Sequence, residues 1–306
     1  MTDVSRWAEP RSAGGAPCST RSRHAHESLA ATASYGRRWL LLEVASGWGP
    51  NAFRDSAALD RALGMRIERR AGAEGMRLVA IRRPGRARLR DGRRWRWARV
   101  DSTPGHETVT WGEARQPEEY VTTAFDEPGA RSRDPIVGVC AHGRHDECCA
   151  TRGRSVAMLL AKRDAEAVWE CSHIGGDRFA ATMLLFPHGI TYGRADTLDA
   201  QRMVDEYRAG RVVLNGLRGR SAFRFVEQAA QHAARSTVGD LRVNAYEPLS
   251  TIRTEPGSWR VVLADRPGPI RVDLAETTKG PLYSNCAAIV PLPVPAFSVQ
   301  AVERLT

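Results

Sequence analysis

The chain has 306 residues, 42% of them hydrophobic, and a formal net charge of +10. That length exceeds what one hydrophobic core ordinarily serves, so two or more units are expected. It contains no apolar run of about 18 residues, and its polar start lacks the apolar core of a secretion signal, so neither a membrane span nor export is expected and the protein reads as cytoplasmic.

Only Lys162 and Lys279 are lysines; arginine carries the rest of the positive charge. No nucleic-acid motif accompanies that charge, so the expected partner is a protein with an acidic face rather than nucleic acid. Six cysteines in a cytosolic chain of this size do not make a disulfide framework, and their clustering points to metal or redox chemistry.

Residues 1–33 read as a flexible arm in which Cys18 is an isolated thiol. Trp39 to Val44 is a compact apolar run and predicts a buried strand. Asp55 or Ser56 is positioned to cap a helix carrying Leu59, Leu63 and Ile67, ended by Gly72 and Gly75, and Met76 to Ile81 follows as a second strand. The two strands of such a βαβ unit should run parallel.

Residues 82–99 contain nine arginines. Asp91-Gly92 signals a hairpin turn, and the alternation after it predicts a strand with arginine on one face and tryptophan on the other. That face is either solvated or a dock for an acidic partner. Thr108 to Trp111 reads as a further strand and 112–133 as a polar linker.

Ile136 to Val139 is a short strand running directly into Cys140. A helix over Ser155–Arg163, with Val156, Leu159 and Leu160 inward, precedes a strand at Ala167–Glu170 that runs into Cys171. Strands at Ala180–Phe186 and Ile190–Gly193 flank a turn in which His188 reads as exposed. A helix to Arg208, capped by Asp196 or Thr197 and closed by Gly210, completes the series. Strand, helix, strand, hairpin, helix is the order of a thioredoxin-like fold, with the cysteines in loops at strand ends, where sites collect. Beyond it, a helix over Ser221–Arg235, short strands at Leu241–Ala245, Trp259–Leu263 and Ile270–Leu274, and Cys286 in a loop before a proline-rich end are expected.

Between Cys140 and Asp177 lie four of the six cysteines and three of the eight histidines. Thiolates and imidazoles suit zinc or an iron–sulfur centre. The candidate ligands are Cys140, Cys148, Cys149, Cys171, His173 and Asp177. Adjacent side chains diverge, so only one of Cys148 and Cys149 is expected to face a metal. Gly175-Gly176 lets backbone pass close to such a centre. Cys18 and Cys286 read as packed, inert thiols, and His142 and His145 as solvated or supporting groups.

Cys-x-His-x-x-x-Asp-x-x-Cys at 140–149, His-x-Gly-Gly-x-Arg-Phe-Ala at 173–180 and Tyr-Gly-Arg at 192–194 resemble the sucrase/ferredoxin-like family, as do Cys18-Ser19, Arg38 to Leu41, Trp48-Gly49 and Arg218 to Ser221. The resemblance implies a thioredoxin-like [2Fe–2S] ferredoxin with mixed cysteine and histidine ligation. It carries ligand roles onto Cys140, Cys149 and His173. Fungal members of the family have a second histidine where this chain has Asp177, so the fourth ligand is open between Asp177, favoured by position, and Cys171, favoured by softness. Sucrose hydrolysis, which the family name invites, requires paired carboxylates in a sugar-binding cleft and is not expected.

The resulting expectation is an α/β protein of tandem thioredoxin-like units: a flexible segment at 1–33, a unit without metal at 34–130, a cluster-bearing unit at 131–215 and a small α+β extension at 216–306. Its expected role is electron transfer or redox sensing, more a carrier than an enzyme. A zinc-stabilised binding module and a thiol–disulfide oxidoreductase are the alternatives.

Overall fold

The computed structural model describes residues 15–45, 47–85 and 95–305. The arm expected to be flexible is built into the protein from Cys18 onward. Helix α1 (Cys18–His24) buries Cys18, Ser19 and Ser22. Glu27 is buried against Ser22 and Arg178, and Arg23 pairs with Asp196 at 2.6 Å.

Strand β1 (Arg38–Glu43) pairs in parallel with β2 (Met76–Arg82) across helix α2 (Arg61–Ala73), as the βαβ pattern requires. The cap of α2 is Asp60, not Asp55 or Ser56: its carboxylate accepts from the amides of Ala62 and Leu63. Asp55 instead accepts from the Asn51 amide and pairs with Arg61.

The Asp91-Gly92 turn lies outside the described residues. Strand β3 (Trp95–Asp101) follows, antiparallel to β1. On the expected basic face of this strand, Arg94 lies outside the described residues and Arg96 is partly buried. Arg96 pairs with Glu43 at 2.8 Å and lies over the Trp169 ring, while Arg99 donates to the carbonyls of Phe125 and Pro128. Strand β4 (Thr108–Ala114) is longer than expected. The predicted linker at 112–133 is ordered: a 3-10 turn at Pro117–Val121 and helix α3 (Thr123–Asp126) pack through Tyr120 and Phe125, and strand β5 (Ala130–Ser132) pairs with β4.

Strand β6 (Ile136–Cys140) leads through the cysteine loop and a π-helical turn, Cys149–Gly153, into helix α4 (Arg154–Ala161). Val156, Ala157 and Leu160 face inward; Leu159, expected inside, is 55% exposed. Strand β7 (Val168–Cys171) is parallel to β6. Strands β8 (Met183–Phe186) and β9 (Ile190–Tyr192) form the hairpin. Helix α5 (Ala200–Arg208) is capped by Asp199 rather than Asp196 or Thr197. Strand β10 (Leu217–Arg220) closes that edge.

All ten strands form one mixed sheet, ordered β10-β9-β8-β6-β7-β2-β1-β3-β4-β5. The two expected units are therefore continuous. Each half places its first four strands as fourth, third, first, second, and the halves meet where β2 pairs antiparallel with β7 at Ile81–Cys171 and Arg82–Glu170. A buried ion pair, Arg82 to Glu170 at 2.8 Å, crosses that seam.

Strand alternation sorts the core into two faces. Leu40 and Leu42 pack with Leu63 and Ile67 of α2, while Val137 and Val139 pack with residues of α4 and α5. On the other face Trp39, Leu41, Ile81, Cys140, Trp169 and Cys171 share one cluster with Cys18, Cys148, Cys149 and Cys286.

Helix α6 (Phe225–Val238) then lies against a separate antiparallel sheet, β11-β12-β13-β14, of β11 (Pro248–Glu255), β12 (Ser258–Leu263), β13 (Ile270–Leu282) and β14 (Leu292–Arg304). Leu241–Ala245, expected as a strand, contributes a single bridge, Arg211 to Arg242, and the proline-rich end is the long strand β14. No helix among the described residues is long and apolar enough to cross a membrane.

Candidate metal centre

The site grows from the ends of β6 and β7. Their parallel register sets Cys140 beside Cys171. The π-helical turn packs so closely on β6 that a Cβ on Gly153 would lie 1.8 Å from the Cys140 carbonyl oxygen. This sets the Cys149 thiol close enough to Cys140 for Cys140 to raise its pKa. The loop after β7 returns through Gly175 and Gly176, both left-handed at φ 93° and 84°. A Cβ at Gly175 would strike the Ser34 hydroxyl and one at Gly176 the Arg218 guanidinium. These glycines thus serve packing against Ser34 and Arg218. Arg218 is buried and donates to the carbonyl of Gly175 at 2.8 Å and to the Thr32 hydroxyl at 3.1 Å. Burial lowers its pKa to about 9.

So held, the loop carries Asp177 to the centre of a group of donors. The Cys149 thiol donates to Asp177 Oδ1 at 3.3 Å, and His173 Nδ1 lies 2.9 Å from the same oxygen. His145 Nε2 is 3.5 Å from Asp177 Oδ2, and its ring stacks on His173 with centroids 3.8 Å apart. Burial pushes the Asp177 carboxyl up, but hydrogen bonds from His145 and His173 outweigh it and hold it below the usual range. Asp177 in turn raises His145. Contact with Cys140, and then burial, raise the Cys149 thiol. The imidazoles of His145 and His173 are each about one-third exposed, whereas Cys140, Cys149 and Asp177 are buried.

His142 is a supporting group with both ring nitrogens engaged. Nδ1 accepts from the His173 amide at 3.4 Å and Nε2 lies 2.7 Å from the Gly49 carbonyl. Cys171 lies one strand inward, its sulfur 3.5 Å from where a Cβ on Gly138 would stand, and burial pushes its thiol well up. His188 is not the exposed turn residue expected; its ring sits on Tyr207 with Nδ1 2.8 Å from the hydroxyl.

The neighbouring Cys148 turns the other way, into a second group. Cys18, Asp146, Cys148 and Cys286 are all buried, with one donor atom from each within 4.8 Å of the others, close enough to hold a metal ion. The Cys18 and Cys286 thiols, read from sequence as inert, are 3.7 Å and 3.3 Å from the Cys148 sulfur. Their hydrogen bonds lower the Cys148 thiol, and the same contacts, with burial, raise Cys18. Burial raises the Asp146 carboxyl. Asp146 and Asp177 each belong to one of these groups.

The sequence does not show the grouping of Cys18 and Cys286 with Cys148, whereas His145, read as a solvated or supporting group, sits beside Asp177. The first two are 268 residues apart and only the tertiary fold joins them. The one signal was the Cys18-Ser19 pair within the family resemblance. His145 reaches the site through a loop, which carries no periodic signature.

A family model described as sucrase/ferredoxin-like matches residues 29–219. No curated protein and no solved structure matches the chain.

Proposed function

Because this chain belongs to the sucrase/ferredoxin-like family, we propose that it is a one-electron carrier or redox sensor holding a [2Fe–2S] cluster through Cys140, Cys149, His173 and Asp177. The observation that carries the reading is the convergence on Asp177: the Cys149 thiol meets it at 3.3 Å and the His173 imidazole at 2.9 Å.

The donor set fits the group. Two buried thiols supply soft ligands, and a neutral imidazole in place of a thiolate removes a negative charge and raises the potential. A bound cluster supplies reversible one-electron transfer. The chain's own residues do the rest. Cys140 and Cys149 keep the inner side of the site in the apolar core. His173 and His145 bring ring edges to the surface. His142, tied to Gly49 and to the His173 amide, fixes the His173 loop. Arg218 holds the Gly175-Gly176 turn that aims Asp177. These part-exposed histidines form the face at which an electron partner docks. With a net charge of +10, the chain attracts an acidic one.

The strand order repeated in each half, with a parallel first pair and an antiparallel third strand, supports reading both halves as thioredoxin-like. All six cysteines are buried and free, which weighs against an enzyme exchanging disulfides with substrates in solution.

The test is the visible spectrum of protein purified without oxygen, with iron and acid-labile sulfide assayed on the same sample. Charge-transfer bands with about two irons and two sulfides per chain are expected. A colourless protein without sulfide overturns the assignment.

A further inference from the structure

The geometry points to a second, separate metal site: Cys18, Cys148, Cys286 and Asp146 bind one zinc-type ion tetrahedrally and clamp α1 and the 283–287 loop onto the cysteine loop.

Spacing is the first argument. The three sulfurs are 3.7 Å (Cys18–Cys148), 3.3 Å (Cys148–Cys286) and 3.4 Å (Cys18–Cys286) apart, and Asp146 Oδ2 is 3.7 Å from the Cys18 sulfur. With Zn–S bonds of about 2.3 Å, the edges of a sulfur tetrahedron are about 3.8 Å long. The donors already stand near that figure. A disulfide would need about 2.05 Å and would strand the third thiol. The compactness also separates this group from a two-iron cluster, whose four ligands are divided between two metals.

Chemistry is the second. Three sulfurs with one carboxylate form a soft, thiolate-dominated set that selects zinc over magnesium or calcium. All four residues are buried, and supporting bonds aim them. Ser19 donates its hydroxyl to the Cys148 sulfur at 3.2 Å and is itself held by Arg152 at 2.9 Å. The Cys18 amide donates to the Cys286 sulfur at 3.4 Å. Asp146 takes the amides of Cys148 and Cys286 at 2.8 Å and 2.6 Å. Such an outer shell orients metal ligands and stabilises thiolates.

Access is the third. A surface recess of about 470 Å³, bordered by Pro17, Glu147, Cys148 and Arg152, opens beside Cys148 and gives an ion a way in.

The vicinal cysteines then serve two centres, Cys149 the redox site and Cys148 the clamp. The second assignment uses none of the residues proposed to hold the iron–sulfur cluster.

The experiment measures zinc, iron and sulfide by elemental and chemical analysis on the full chain expressed in zinc-supplemented medium. About one zinc per chain is expected in addition to iron. Cys286→Ser should lose at least nine-tenths of that zinc while keeping its visible spectrum, and Cys149→Ser should lose iron and sulfide while keeping zinc. Absence of zinc from the unaltered chain overturns the proposal, as does loss of iron and sulfide with retained zinc in Cys286→Ser. Should the variants not fold, cobalt(II) is added to the unaltered, zinc-stripped chain. Intense tetrahedral cobalt bands with thiolate charge transfer, competed away by zinc, support the site; a spectrum of aqueous cobalt refutes it.

Discussion

The Cys149 thiol and the Asp177 carboxylate, 28 residues apart in sequence, meet at 3.3 Å on the same oxygen that receives His173. The contact joins the loop after β6 to the loop after β7 and makes Asp177 the hub of the site. At position 177 the chain has a carboxylate with imidazoles on two sides.

The ligand assignment predicts a contrast between two substitutions. Asp177→Ala should lose most of the iron from anaerobically purified protein. Cys171→Ser, one strand inward, should keep it. Iron and sulfide contents of the two variants measured side by side check this. Equal, full retention in both removes Asp177 and Cys171 from the ligand set.

Gly176→Ala tests how the loop is held. The residue has φ 84°, and the added methyl would meet the Arg218 guanidinium at 2.5 Å. A left-handed alanine costs about 1–3 kcal/mol, and the clash adds to it. Lower stability in urea and a partial loss of iron are expected together. Unchanged iron content would show that the Arg218 contact does not position Asp177.

The seam between the halves rests on the buried pair of Arg82 and Glu170. Glu170→Ala breaks this buried pair from one side and should cost about 3–5 kcal/mol in unfolding free energy. Chemical denaturation reads this directly.

His188 predicts a pH dependence. Burial, then nearby Arg220, lower its pKa from 6.5 to about 4. Below about 6.5 the unfolded chain takes up a proton there that the folded chain refuses until about 4. Folding therefore loses stability as pH falls through that window and is unaffected by this group above it. His188→Gln should flatten the stability profile between those limits.

Much of the frame was legible where periodicity is strong. The apolar run at 39–44 and the strand at 136–139 leave no alternative to burial, and the parallel pairing follows from the intervening helix. Caps were misplaced because several acidic residues compete. Asp196, for example, is drawn off to Arg23 and Arg152, leaving Asp199 to cap. The segment 112–133 is polar in composition, yet Tyr120, bonded to the carbonyls of Glu43 and Arg96, anchors it. Strand β14 was hidden by Pro293 and Pro295, which an edge strand tolerates because its outer amides need no partner. At the site, local motifs put forward Cys140, Cys148, Cys149, Cys171, His173 and Asp177 as candidates, and of these the fold brings Cys149 and His173 onto Asp177. The grouping of Cys18, Cys148 and Cys286 depends on closing the chain across 268 residues, which no local pattern encodes.

The most direct test of the central claim is electron paramagnetic resonance with nitrogen hyperfine spectroscopy on the reduced protein carrying 15N-labelled histidine. The account predicts a spin-half signal of a reduced [2Fe–2S] cluster strongly coupled to one histidine nitrogen, with the coupling lost in His173→Cys. A reduced cluster with no strongly coupled nitrogen, or no signal at all from chemically reduced protein, would contradict it.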